Sequence, residues 1–554
     1  MKLRSVVVFV LLSTAMLVGQ TFRGTILGSV TDPSGAYVAG ATVKVKNPAT
    51  GLERTTATSG DGSYSVPELP VGTYSVTVSL TGFQTSVTSN VEVNVATERR
   101  VDAQLKTGQV TQTVEVSGGD LAQIETQTND LGGVLTSKGV EDLPINGRDY
   151  TKLIFLNPGV AGSPDQITDS PGSFGEFSMN GARGRSNNYL LDGTDMNDGY
   201  RNDPAINQGG VFAVPSAILP IGAVAEMKVL SNFQPEYGRN AGAVVNIVTK
   251  SGSNKFHGEL FEYFRNNALD ARNYFNKTDE QRAPFHNNQF GGSFGGPILK
   301  DKTFFYLNYE GQRESVGTVT LACVPDPATI AADIAKNGPA NPVTAAMLKY
   351  WPAPNIPGAP QSDNFGRAID PATLNTIPNA SLVTPSYNNL TSLIGKIDHN
   401  FNQNNILTGR YFFGDSTQSF PLALTASGGQ LPGFNTITPT RVQLVSVSYV
   451  HTFGTNKVNE IRYGWNRFTE SFTPQDASFH PTSIGLCAQS PDESGSCPGV
   501  GGPHDSGLPI ILVSGTPSGT SFFSPARLPA IPARASTPTI SSLKISPGSW
   551  ANTT

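Results

Sequence analysis

From Phe256 onward the chain repeatedly alternates between an apolar face and a charged one, and few soluble folds tolerate that arrangement. Ile461, Tyr463 and Trp465 fall on one side of an extended segment, and Glu460, Arg462 and Asn466 on the other. Leu407, Tyr411 and Phe413 oppose Thr408 and Arg410, and Leu393, Gly395 and Ile397 oppose Lys396 and Asp398. Val445, Val447, Tyr449 and Phe453 oppose Ser446 and Ser448. Successive side chains of a strand point to opposite faces. A soluble sandwich would not line its interior with Lys, Asp, Glu and Arg. Segments of about ten residues, apolar outward and polar inward, are the pattern of strands that cross a bilayer. Phe304 to Tyr309 is aromatic on both faces, as expected where a strand passes the interfacial girdle.

Composition agrees. The 554 residues carry 58 Gly, 40 Pro and 9% aromatics, a mix suited to many strands joined by turns. A net charge of −5 with only 15% charged residues excludes the basic excess of a nucleic-acid binder. The mean hydropathy of −0.19 is no argument for solubility, because membrane strands alternate and average near neutral. Lys2 and Arg4, the short apolar run Val6–Val18 and then Gly19-Gln20 read as a cleaved secretory signal peptide over residues 1–20. No later apolar run is long enough for a transmembrane helix. Of three cysteines, Cys487 and Cys497 bracket a Pro/Gly/Ser-rich stretch; a loop disulfide and two unpaired thiols are both open readings.

Residues 24–106 read as short strands at regular spacing, about seven of them, which suggests a two-sheet sandwich. Asp32-Pro33-Ser34-Gly35, Gly60-Asp61-Gly62 and Pro70-Val71-Gly72 supply the turns. Gly28-x-Val30-x-Asp32-x-x-Gly35, Gly40-Ala41-x-Val43-x-Val45 and Gly62-x-Tyr64 through Leu69-Pro70-x-Gly72-x-Tyr74 resemble the carboxypeptidase regulatory-like domains. That resemblance implies a transthyretin/Ig-like sandwich of carbohydrate-binding-like fold, with a structural or adhesive role. Peptidase chemistry is not implied, since no histidine has Glu three residues on. His257 with Glu259 and Glu262 comes nearest, on an expected strand. The sequence supplies no catalytic constellation, no cofactor loop and no metal set, so an enzyme is not expected.

Residues 107–250 change character. Met179-Asn180-Gly181-Ala182-Arg183-Gly184-Arg185, Tyr189-Leu190-Leu191-Asp192-Gly193, Ala225-Glu226-Met227-Lys228-Val229-Leu230 and Tyr237 to Gly252 follow in order. They resemble the successive plug motifs of TonB-dependent outer-membrane receptors. Two positions depart from the family pattern: Lys228 stands where a second Glu is usual, and Ser231-Asn232 replaces an Arg-Gly. With the front sandwich, the pattern resembles the Oar-like branch. The resemblance implies a mixed α/β plug inside an antiparallel transmembrane β-barrel in the outer membrane, contact with lipid, a TonB-type energising partner, and uptake of a scarce solute, carbohydrate or peptide among the candidates. Arg183, Arg185, Asp192 and Gly193 are the candidate plug contacts to barrel or ligand. Thr113-Val114-Glu115-Val116-Ser117 resembles a TonB box, and an ordinary linker strand is the competing reading. Asp192, Asp195, Asn197 and Asp198 lack the spacing of a calcium loop and read as an acidic turn.

Residues 251–513 are then the barrel. Residues 311–390 are expected to form a long extracellular loop with a short helix near Val343–Tyr350. About eight strands are legible, against roughly 22 in plugged transporters, so the barrel is expected to be incomplete. Residues 514–554 lose the alternation and suggest a truncated or frame-shifted end. The competing function is a surface adhesion, carbohydrate-binding or protein-export component on the same barrel.

Overall fold

The computed structural model describes residues 23–475 with internal gaps, together with 533–545; residues 1–22, 109–112, 118–130, 163–176, 207–216, 272–281, 357–367, 421–434, 476–532, 546–554 and several shorter stretches lie outside the description. The expected signal peptide, Cys487 and Cys497 therefore fall outside it.

The front unit is a sandwich of two sheets. One contains β1 (Gly24–Thr31), β4 (Ser63–Leu69), β7 (Glu98–Arg100) and β8 (Ala103–Gln104). The other runs β3 (Glu53–Ala57), β2 (Thr42–Lys46), β5 (Gly72–Ser79), β6 (Thr85–Val93) and β9 (Thr113–Ser117). Strict burial alternation along β1 and β5 places Ile26, Val30, Tyr74, Val76 and Val78 in the shared core. The Asp32 carboxylate accepts from the Ser34 and Ala36 amides, which fixes the first turn and brings Gly35 to φ +86°.

The middle unit is a five-stranded mixed sheet. It runs β10 (Leu131–Thr136), β15 (Val224–Asn232), β16 (Val244–Thr249), β13 (Asn188–Leu191), β14 (Thr194–Asp195). A small pair, β11 (Val160–Gly162) and β12 (Phe177–Met179), sits beside it. All six residues of β16 are buried, so this strand is covered on both faces, and four of the six are Val or Ile.

The large sheet is antiparallel throughout. Its path is β17 (His257–Asn266), β18 (Phe285–Leu299), β19 (Thr303–Ala322), β22 (Ala380–Asn402), β23 (Asn405–Phe420), β24 (Thr436–Phe453), β25 (Lys457–Glu470) and β27 (Ala533–Ile545). The two-residue β26 (Thr473–Pro474) pairs with β24, and β20 (Ala368–Ile369) with β21 (Thr376–Ile377). Among the described residues β17 and β27 do not pair, so the sheet is open. The turns at 300–302, 403–404 and 454–456 are short; the connections at 267–284, 323–379 and 421–435 leave the opposite end.

The alternation resolves as expected. Leu393, Ile397, Ile461 and Tyr463 are exposed on the outer face, while Lys396, Arg410, Glu460 and Arg462 are buried on the inner one. Two expectations are corrected. The strands are longer than about ten residues: β19 and β22 hold 20 and 23. Past the apolar band both strands run through a stretch that is polar on both faces, as at Glu314-Ser315 and Asn388-Asn389, and stay paired as far as Ala322↔Ala380; the expected loop 311–390 is strand at both ends. The helix that the structure describes in that connection is Pro327–Asn337, with Pro at its first turn. The expected site, 343–350, lies largely outside the described residues.

Candidate functional site: the inner face of the large sheet

The middle unit is fastened to the inner face of the large sheet, and the sequence of one turn explains how. β13 and β14 pair Leu191 with Thr194, leaving Asp192 and Gly193 as a two-residue hairpin turn, both at positive φ (47° and 70°). Asp and Gly are the residues that tolerate this geometry. The turn aims the Asp192 carboxylate at two buried cations: Lys396 Nζ at 3.7 Å and Arg410 Nη1 at 3.5 Å. Thr249 of β16 completes the set, its amide donating to Oδ1 at 2.9 Å and its hydroxyl to Oδ2 at 2.8 Å. Burial works against the charge on Asp192. The two cations and the Thr249 bonds outweigh it and hold the carboxyl below the ordinary Asp range.

Around this cluster the sheet donates to backbone carbonyls of the middle unit. Arg462 Nη1 reaches the Gly193 oxygen at 2.6 Å while its Nη2 is bound to Glu460 at 2.7 Å. Lys396 Nζ reaches the Thr249 oxygen at 3.0 Å, and Arg410 Nη2 the Thr194 hydroxyl at 2.9 Å. Above lies an apolar layer: Ile394, Phe412, Leu444, Val442 and Phe468 pack into the same core as Leu191, Met196, Val245 and Ile247. On the β17 side the Arg148 guanidinium stacks over Phe261 and Tyr263 at 4.5 and 4.7 Å and lies 3.7 Å from Glu310.

The front sandwich docks at the short-turn end. Leu52 inserts among Ile406, Val450 and Val458, Arg54 donates to Thr452, and the Ala49 oxygen accepts from the Asn254 amide at 2.9 Å. A second contact joins it to β15. Glu226 and Lys228, two residues apart, clamp one stretch of backbone: Glu226 Oε2 accepts from the Val95 amide at 2.7 Å, and Lys228 Nζ donates to the Ala96 oxygen at 2.8 Å. Burial pushes the Glu226 carboxyl up to about 7. Lys228 was visible in the sequence as a departure from its family; the structure gives it a carbonyl to bind. A cavity of about 320 Å³ remains between sandwich, β15–β16 and the sheet, lined by Arg23, Lys250, Lys396 and Asp398 among others.

Of the residues singled out by sequence, Asp192 and Gly193 meet the sheet. Arg183 and Arg185 are both exposed, and Arg185 lies 3.9 Å from Asp203 of its own unit. Asp195 caps the Asn197 amide, and Asp198 accepts from the Asp203 amide, so the acidic turn is internally bonded. Thr113–Ser117 forms β9, paired in parallel with β6 of the sandwich from Thr85↔Thr113 to Ser89↔Ser117. His257, Glu259 and Glu262 lie along β17, and among the described residues no group of three His, Cys, Asp or Glu could hold a metal. Lys396 and Arg410 were readable as inward charges, but alternation alone could not pair them with Asp192, which is remote in sequence.

An open antiparallel sheet with an apolar outer face, a charged inner face and a buried unit fastened to it defines an outer-membrane β-barrel chain. The chain belongs to that family: residues 248–530 match the outer membrane beta barrel domain, and residues 25–106 match the carboxypeptidase regulatory-like domain. It is 28% identical over 300 residues to the TonB-dependent transporter Oar of Myxococcus xanthus, covering 51% of this chain and 26% of that one. It is 26% identical over 182 residues to the probable TonB-dependent siderophore receptor PirA of Acinetobacter baumannii, covering 32% and 22%. The chain thus spans about a quarter of the length of these curated relatives. Among solved structures, the outer membrane transporter YddB of Escherichia coli gives a TM-score of 0.41 at 15% identity over 62% of this chain and 40% of that one. The ferric enterobactin receptor PfeA of Pseudomonas aeruginosa gives 0.38 at 15% identity, covering 62% and 41%.

Proposed function

We propose that the chain acts in the outer membrane as a TonB-dependent receptor and transporter, reaching it through a cleaved signal peptide over residues 1–20. Residues 107–250 are its plug and the large sheet from residue 251 is its barrel wall. The observation that carries this reading is the Asp192 cluster. A unit of irregular backbone is tolerated at membrane depth only when protein shields it, and here buried charges hold that unit against the lumen wall and leave the lipid face clear. A fastening made of a few directional contacts can be broken by a pull along the chain, which is how an energising partner would admit a scarce solute. Thr113–Ser117 is the contact segment for that partner. β9 is the last strand of its sheet, paired to β6 along one edge, and strand addition uses the other.

The competing reading as a surface adhesin finds no support in the position of the sandwich. It sits at the short-turn end, the periplasmic end in barrels of this kind, away from the long connections.

The test is binding of the purified periplasmic domain of the cognate TonB-type protein to the detergent-solubilised chain. Proline at both Val114 and Val116 removes two backbone donors from β9 and should abolish binding. Equal binding by wild type and variant would overturn the assignment of the contact segment. In cells, solute uptake that persists in the presence of an uncoupler would overturn the transport reading itself.

A further inference from the structure

The cavity of about 320 Å³ where sandwich, middle unit and large sheet meet contains a carboxylate without a counter-ion. Its described lining carries four charged side chains: Arg23, Lys250, Lys396 and Asp398. The three cations are engaged. Lys250 is paired with Glu141, Lys396 stands 3.7 Å from Asp192, and Arg23 lies in the field of Glu460. Asp398 is different. Its Oδ1 accepts from the Thr408 hydroxyl at 2.8 Å, but its Oδ2 is buried without a hydrogen-bond partner, and among the described residues it forms no ion pair. A buried carboxylate oxygen without a donor is costly, and folded chains keep few such atoms without a use.

Most of the remaining wall is apolar, with Leu52, Val71, Val248 and Ile406 contributing. The volume is at the lower end of the range for small-ligand pockets. The occupant that fits is small, brings one ammonium group to Asp398 and has an apolar part beside it.

The chain can supply such a group. Arg23, the first described residue, lines the cavity, and a relay leads from it to the acid. Its Nη2 donates to the Thr408 hydroxyl at 3.4 Å, and that hydroxyl donates to Asp398. Hydrolysis of the peptide bond between residues 20 and 21 leaves a carboxylate on the released leader and a free amine on Thr21. That amine takes up a proton and is charged at neutral pH. Thr21 is two residues ahead of Arg23, with Phe22 between them, and two residues reach at most about 7 Å. One ammonium and one aromatic ring match one carboxylate and an apolar wall.

We propose that this cavity seats the processed N-terminus of the chain, with the Thr21 α-ammonium paired to Asp398 and the Phe22 ring against Leu52 and Ile406. The pair ties the sandwich, which follows Thr21 in the chain, to β22, which carries Asp398. It completes the docking of the sandwich only once the leader is gone, because in the precursor the same nitrogen is an uncharged peptide amide with residue 20 attached. The proposal rests on the signal-peptide reading above and is independent of the transport reading.

The experiment uses the full chain purified from outer membranes in detergent. Its intact mass reads where the chain begins. Acylation of the Thr21 amine by succinimidyl acetate is then followed by mass spectrometry. It should run about tenfold more slowly in the wild type than in Asp398→Asn, or than in a chain with Gly-Ser inserted between residues 20 and 21. The Asn254 amide donates to the Ala49 oxygen across the docked face, and in both variants its hydrogen exchange should be about tenfold faster, the worth of one charge-assisted bond. The insertion leaves every residue of the fold in place, which separates a lost terminal pair from lost folding. Equal acylation in the wild type and the inserted chain, or an Asn254 rate unchanged in both variants, would overturn the seat alone. A chain that keeps residues 1–20 would overturn the signal-peptide reading, and the seat with it.

Discussion

Replacing Asp192 by Asn tests the fastening of the middle unit with almost no change of shape. In the wild type four groups converge on the carboxylate: Lys396 at 3.7 Å, Arg410 at 3.5 Å, and the Thr249 amide and hydroxyl at 2.9 and 2.8 Å. The amide of Asn keeps one acceptor for Thr249 but no charge, so two cations with side chains 4% and 1% exposed lose their counter-ion. Removing one partner from a buried ion set costs about 3–5 kcal/mol. The retained acceptor places the substitution at the lower end, about 3 kcal/mol, or roughly 150-fold in the equilibrium for opening. Native-state hydrogen exchange reads this directly. The Thr249 amide and the Asp192 amide, which donates to the Ile247 oxygen at 2.8 Å, should lose protection by about two powers of ten. Amides in the β23–β24 ladder, such as that of Phe412, should not change. A loss under threefold, or an equal loss throughout the large sheet, would refute the claim that this cluster holds the unit in place. Adding Arg410→Gln to Asp192→Asn should cost less than Arg410→Gln alone, because its partner is already gone.

The other expectations concern the docked sandwich. The Glu226 carboxyl is raised by burial first, and further by Glu92; the Val95 amide and Lys228 pull the other way. Its docked value of about 7 lies above the ordinary 4.5, so the docked state holds the proton more tightly. Docking should therefore be strongest below about pH 4.5 and weaken as pH rises through about 7, by about 3 kcal/mol in all; limited proteolysis of the sandwich linker across that range measures it, and Glu226→Gln should flatten the profile. Lys228→Glu installs the residue usual in the resembled family, breaks the bond to Ala96 and sets a second acid beside Glu226. Exchange at the Val95 amide should rise at least tenfold, and an unchanged rate would show that the clamp is idle. Leu52→Ala empties the seat formed by Ile406, Val450 and Val458 and should weaken docking by about 2–3 kcal/mol, seen as a broadened distance distribution between spin labels at Ser59 and Asn404.

Much of this architecture could be read from residue order because membrane strands obey a simple rule: what faces lipid must be apolar, and what faces inward need not be. Ile461 and Arg462 announce their sides without any knowledge of partners. The sandwich turns were legible for a similar reason, since Asp32 and Gly35 fix their own local backbone. Strand length was not legible, because β19 and β22 pass through a stretch that is polar on both faces, Gln312 to Ser315 and Asn388-Asn389, and that looks like loop. The Asp192 cluster was half legible. The Asp-Gly pair signals a tight turn, but Lys396 and Arg410 lie some 200 residues on, and their meeting with it is decided by how two sheets pack, which no local pattern records. Lys228 and the Val95–Ala96 stretch are the clearest case: an apparent exception in one strand became a contact only when a second unit was laid against it.

The seat of the sandwich also sets an order of events in making the protein. Its contacts with the sheet span 385 residues from Arg23 to Thr408 and 398 from Arg54 to Thr452. Loop closure over such distances costs little more at equilibrium than over shorter ones, since the penalty grows only with the logarithm of length. In time the difference is large, because non-local contacts form late. The sandwich has its own apolar core, from Ile26 to Leu105, and leaves the ribosome first. It can fold long before the rim that receives Leu52 exists. During that interval its docking surface, Leu52 included, stands uncovered, and the assembly of this chain must keep it from other partners until β22 to β25 have formed.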